Sequence, residues 1–114
     1  MATAARPGGP AGHVCGIDAA MSVIGGKWKV LILWALGERA CRFGELRRRL
    51  PGVTEKVLAS HLREMEEHGI VHREAHDEVP PRVVYSLTET GTSLNAALVP
   101  LGMWGKAHVL GVAA

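Results

Sequence analysis

The chain has 114 residues, which suits one compact domain. Hydrophobic residues make up 47% but aromatics only 4%, so Leu, Val, Ile and Ala must fill most of a core. Charged residues at 21% argue against a disordered body, and a net charge of +2 says little by itself about nucleic acid. The longest strongly apolar run, Val30 to Leu36, is far short of the ~20 residues of a membrane span. The start, MATAARPGGPAG, lacks an apolar signal core. It reads as a mobile tail over residues 1–14, and the protein is expected in the cytoplasm. Cys15 and Cys41 are then expected as thiols.

Along the chain, Ile17, Met21 and Ile24 carry helical spacing up to the break at Gly25-Gly26. From Lys27 to Leu36, Trp28, Leu31, Ile32 and Ala35 form one stripe of a second helix, with Gly37 as its stop. Phe43, Leu46 and Leu50 mark a third helix that ends at Pro51-Gly52-Val53. Thr54 is a good N-cap for a fourth helix, with Val57, Leu58, Leu62 and Met65 as its buried stripe and Gly69 at its end. Val71 to Ala75 and Val83 to Leu87 are short strands. Between them His76 to Arg82, with two prolines, reads as a hairpin loop. Thr88 then caps a last helix carrying Leu94, Leu98, Leu101 and Trp104, which Pro100 should kink or divide.

Helices three and four, joined by a short turn containing glycine, form a helix-turn-helix pattern. The hairpin after them is a wing. The expected fold is therefore mainly α (α+β), a winged helix-turn-helix with extra N- and C-terminal helices, over residues 15–110, with 111–114 as a short tail. Those terminal helices have apolar faces with little to cover in so small a domain, and packing against a second copy would bury them. A homodimer is the expectation.

Charge is segregated. Arg39 to Arg63 holds seven basic and two acidic residues, net +5; Glu64 to Glu78 holds six acidic residues and one Arg, net −5. Such adjacent blocks can steer a polyanion to one face, or can be ordinary mixed helix surface.

Three stretches resemble the HxlR-type helix-turn-helix regulators, relatives of the MarR group. The first is Cys15 followed by Ile24-Gly25-Gly26-Lys27-Trp28 and the apolar run to Leu36. The second is Arg42-Phe43-Gly44-Glu45-Leu46 leading to Leu50-Pro51-Gly52-Val53-Thr54-Glu55-Lys56-Val57-Leu58. The third runs from Leu62 to Val71 and on through Glu78-Val79-Pro80-Pro81-Arg82-Val83-Val84-Tyr85-Ser86-Leu87-Thr88. The likeness covers roughly residues 15 to 105. It implies a dimeric DNA-binding repressor or activator, not an enzyme, with no cofactor. In that family a cysteine at the place of Cys15 often senses oxidants or electrophiles; some members have proline after it, where this chain has Gly16.

Docked as helix-turn-helix proteins dock, the fourth helix enters the major groove of double-stranded DNA. Its outer side carries Thr54, Glu55, Lys56, Ser60 and Arg63, with His61 at the flank. Lys and Arg suit guanine O6 and N7, Ser is permissive, and Glu accepts from cytosine N4. On the third helix Arg42, Arg47 and Arg48 are phosphate candidates, while Arg49 is as well read as structural. In the wing Arg82 comes first and Arg73 second, the latter with a cross-strand salt bridge as its alternative.

Cys15 is the candidate redox site, because a helix N-terminus favours thiolate; Cys41 is expected to be buried and inert. His68, His72 and His76 are spaced for metal only on one continuous helix, and Gly69 should prevent that, so no metal site is assigned. His13 with Cys15 lacks an oxyanion donor or an orienting group, which argues against catalysis. Two alternatives stand beside the DNA reading. One is a winged helix used for protein contact; the other is a regulator switched by a non-covalent ligand held near Trp28 and Trp104.

Overall fold

The computed structural model describes residues 12–112. The element order is α1 (Gly16–Ile24), α2 (Lys27–Glu38), β1 (Cys41–Arg42), α3 (Phe43–Arg49), α4 (Glu55–Glu67), β2 (Val71–His76), β3 (Arg82–Leu87) and α5 (Glu89–His108). Most of the tail expected over 1–14, and residues 113–114 of the other tail, lie outside the described residues. Val14 donates its backbone N–H to the Asp18 carboxylate at 2.9 Å, and so belongs to the start of α1.

At the centre lies α2, which packs against α3, α4, α5 and β3. Ile32, Leu33, Ala35 and Leu36 are buried there, while Trp28 and Leu31 are only half-buried and Trp34 is half exposed. The single stripe expected from Trp28, Leu31, Ile32 and Ala35 is therefore too narrow. A helix surrounded on several sides buries residues around much of its circumference. Gly37 does not stop this helix, which runs on to Glu38. A Cβ at Gly37 would sit 2.3 Å from Asn95 Nδ2 of α5, so this glycine permits a close crossing of two helices.

The other signals act locally. Thr54 Oγ1 accepts the Val57 N–H at 3.1 Å, which starts α4. Leu58, Leu62 and Met65, spaced four and three apart, are buried beneath that helix. Gly69, at φ +74°, takes the left-handed conformation that ends it. Arg42 donates its backbone N–H to Glu45 Oε1 at 2.8 Å at the start of α3.

The wing is a sheet of three strands, ordered β1-β3-β2 and antiparallel throughout. The two-stranded wing expected from sequence lacks β1, which pairs Cys41 with Tyr85 and Arg42 with Val84. Two residues are too short for any periodicity to reveal. His76 and Arg82 pair across β2 and β3, so the hairpin loop shrinks to residues 77–81. Pro100 does not divide α5, which is one helix of 20 residues. The proline frees the Ala96 carbonyl, and both residues are exposed, so water can take the missing donor's place.

At the N-terminus of α5, Thr88 accepts the Gly91 N–H at 3.0 Å. Its hydroxyl also donates to the Gly69 carbonyl at 2.6 Å, and its backbone N–H to the Ile70 carbonyl at 3.1 Å. Gly91 is buried against the same carbonyl: a Cβ there would lie 2.1 Å from Ile70 O. Gly91→Ala should thus force α5 off the turn between α4 and β2 and cost about 1–3 kcal/mol of stability, read from urea denaturation; an unchanged midpoint would refute the close approach.

One buried cation crosses the core. Lys29 of α2 is 7% exposed and places Nζ 2.5 Å from Glu64 Oε1 of α4. The hydrogen bond from Lys29 holds the Glu64 carboxyl below the usual carboxylate range. A carboxyl depressed in the folded state stabilises fully above its unfolded pKa, and that contribution is lost as pH falls through its folded value. On acidification from about pH 7 to about pH 2, the melting temperature should fall further for the wild type than for Glu64→Gln. Equal falls would show that the pair contributes nothing to acid sensitivity.

Candidate nucleic-acid interface

The amphipathic pattern of α4 divides the helix cleanly. With Leu58, Leu62 and Met65 turned inward, Lys56 and Arg63 stand exposed and Ser60 half-buried on the outer side. Lys56, Ser60 and Arg63 follow at spacings of four and three and share that face. Ala59 lies between them without bulk. Thr54 is exposed at the helix start, with its side-chain oxygen engaged as the cap. His61 is half-buried, and its Nδ1 is enclosed without a hydrogen-bond partner among the described residues, so this side chain belongs to the packed flank more than to the outer face.

Helix α3 lies against the start of α4. Phe43, Gly44, Arg47, Arg48 and Glu55 line one open groove between them, which brings three of the predicted contact residues together. Arg47 Nη1 lies 3.2 Å from Glu55 Oε2, and both side chains are well exposed. An exposed ion pair of this kind is worth about 0–1 kcal/mol, so a phosphate can compete for Arg47. Arg42 and Arg48 are exposed and make no ion pair among the described residues.

Arg49 takes the structural alternative. Its guanidinium donates to the Ala35 carbonyl at 3.0 Å, pairs with Glu38, contacts Cys41 Sγ at 3.5 Å and lies 5.3 Å from the centre of the Trp34 ring. It ties α3 to the end of α2.

In the wing the two arginines differ in their surroundings. Arg82 Nη2 is 2.9 Å from Glu78 Oε2 and its Nε is enclosed, whereas Arg73 is exposed opposite Tyr85. Among the described residues Arg73 has no salt bridge, cross-strand or otherwise. The acidic neighbours Glu74 and Glu78 are turned to His76 and Arg82 instead.

Cys15 is exposed at the N-cap of α1, and its thiol makes no capping hydrogen bond. Cys41 is buried in β1, as expected. His68 ends α4 while His72 and His76 lie on β2, and no metal-binding group of three His, Cys, Asp or Glu occurs among the described residues. Trp28 and Trp104 sit in different surroundings. Trp28 packs beside the Gly52 turn and Trp104 is 55% exposed on α5, stacked on His108. The groove between α2 and α5 is lined instead by Val30, Leu31, Trp34, Leu98, Val99 and Met103. No single helix among the described residues is long and apolar enough to cross a membrane.

These features have close counterparts. The family model of the HxlR-like helix-turn-helix matches residues 23–111. An uncharacterized HTH-type transcriptional regulator of Methanothermobacter thermautotrophicus is 45% identical over 96 residues, covering 84% of this chain and 73% of the relative. Among solved structures, a MarR-family transcriptional regulator of Enterococcus faecalis superposes with a TM-score of 0.75 at 46% identity, covering 83% of this chain and 86% of that one. The redox regulator HypR in its reduced form gives a TM-score of 0.78 at 40% identity, covering 85% and 98%. The matched family and these relatives are transcriptional regulators, not enzymes. With the winged helix-turn-helix and these counterparts in place, this chain belongs to the HxlR-like helix-turn-helix family of transcriptional regulators.

Proposed function

We propose that the protein regulates transcription as a homodimer that reads a pseudo-palindromic operator, with α4 of each protomer in the major groove. The observation that carries this is the outer face of α4: Lys56, Ser60 and Arg63 stand together above a buried Leu58, Leu62 and Met65. Charged and polar groups in that arrangement suit base edges, whereas a protein-docking face would favour aromatic or apolar anchors. Arg42, Arg47 and Arg48 flank it as phosphate contacts, with Thr54 and Glu55 at the helix start and His61 at the packed edge. In the wing Arg73 reaches the backbone or minor groove more readily than Arg82, which Glu78 occupies.

The dimer reading is supported by the apolar surface of the terminal helices. Ile17 and Met21 on α1, and Val99, Leu101, Met103 and Trp104 on α5, are exposed large hydrophobic residues. That is more apolar side chain than a lone domain this small usually presents. Two recognition helices related by a two-fold axis would sit about 34 Å apart, one turn of DNA.

Cys15 is the proposed redox switch. It is the exposed thiol, it starts α1 beside the apolar surface assigned to the dimer, and HypR is itself a redox regulator. The burial of Cys41 favours a disulfide between the Cys15 residues of two protomers over one to Cys41.

The roles separate by experiment. Arg48→Ala should weaken binding to all duplexes alike and lower the salt slope by about 1, while Lys56→Ala should lose discrimination at one base pair. Equal losses from Lys56→Ala on operator and random DNA would remove its base-reading role. Sedimentation should give a dimer, and mild oxidation should release operator DNA from the wild type but not from Cys15→Ser. A monomer at micromolar protein would refute the dimer; release that persists in Cys15→Ser would refute the switch.

A further inference from the structure

Lys29 is the one charged residue buried among the described residues, and its single ion-pair partner is Glu64 on α4. The two ends of the pair are unequal. The Lys29 side chain is 9% exposed and that of Glu64 is 46% exposed, so the carboxylate keeps much of its water and the ammonium does not. Burying an ammonium is costly, and apolar residues of similar volume often serve stability as well or better. The charge at this position therefore calls for a reason other than stability.

Geometry supplies one. An ammonium enclosed with one partner is satisfied only when that partner is presented at one point. Rotating α4 by one residue, about 100°, would carry Glu64 away and leave the cation unpaired. Glu64 directly follows Arg63 and lies four residues after Ser60 on the same helix. A lock on Glu64 is thus a lock on the rotation that turns Lys56, Ser60 and Arg63 outward. The opposite end of α2 holds α3 in the same manner, through Arg49 on Glu38 and on the Ala35 carbonyl.

We propose that Lys29 is a positioning residue for DNA recognition: through Glu64 it sets the rotation of α4 against α2, and so the register in which α4 meets base edges. This rests on the reading of α4 as the recognition helix. Lys29 touches no DNA, and its effect falls on discrimination before affinity.

The test uses the full chain, a duplex selected by the wild type from a random pool, and a scrambled duplex of the same composition. Lys29→Met should fold with a melting temperature close to that of the wild type, because methionine fills a similar volume and Glu64 remains solvated. Its preference for the selected duplex should fall about tenfold or more, with affinity for the scrambled duplex and the salt slope unchanged. A merely structural role would lower both affinities together with the melting temperature, and that result, or full retention of the preference, would overturn the proposal. Should Lys29→Met fail to fold, Glu64→Gln carries the same test. The double variant should discriminate no worse than Lys29→Met alone; additive losses would show that the two residues do not act as a pair. A wild type that selects no sequence would overturn the recognition-helix reading, and the proposal with it. Selection by the wild type that survives in Lys29→Met would overturn the proposal alone.

Discussion

The burial of α2 among four other elements is the constraint on which the rest of the molecule depends. Ile32, Leu33, Ala35 and Leu36 are removed from water, and α3, α4, α5 and β3 each close one side of them. At about 1.5–3 kcal/mol for each large aliphatic side chain buried, this cluster is a large fraction of what stabilises a domain this small. Each neighbour is then located by more than apolar contact. Lys29 meets Glu64 on α4, Arg49 of α3 returns to Glu38 and Ala35, and Gly37 lets Asn95 of α5 come close. The helix-turn-helix is held to one central rod by directional contacts at both ends.

That arrangement explains how a chain with a net charge of only +2 can offer a basic face. The acidic residues after Arg63 are not spread at random. Glu64 is turned under α2, while Glu74 and Glu78 face His76 and Arg82 within the wing. The charge of Glu64 and Glu78 is thereby partly neutralised inside the domain. Arg42, Arg48, Lys56, Arg63 and Arg73 remain exposed without ion-pair partners among the described residues. Electrostatic steering depends on this distribution rather than on the sum.

The same domain leaves a different surface on its far side. The apolar residues of α5 continue into the groove between α2 and α5, where Trp34 stands between that groove and the Arg49 guanidinium. The surface proposed for a second protomer and the anchor of α3 thus share one aromatic ring. Packed side chains and one guanidinium connect the α2–α5 groove with α3.

Much of this was legible in the residues alone, for local reasons. Thr54 and Thr88 mark helix starts because a hydroxyl must take an N–H there, and Gly69 marks an end because the chain turns left-handed. Helix α4 was legible because its apolar residues repeat at the helical period. β1 was not, since two residues have no period and are defined only by their partners on β3. The buried face of α2 is wider than a single stripe because four neighbours, not one, set its burial. Gly37 and Pro100 carry local signals to stop a helix that their surroundings override, by a close crossing in one case and by exposure to water in the other. Among the arginines, sequence alone determined that a basic stretch precedes an acidic one and placed it on a helix-turn-helix. Only the tertiary structure decided which cations are spent on neighbours, because ion pairs such as Arg47–Glu55, Arg49–Glu38 and Lys29–Glu64 form between helices whose distance no local pattern encodes.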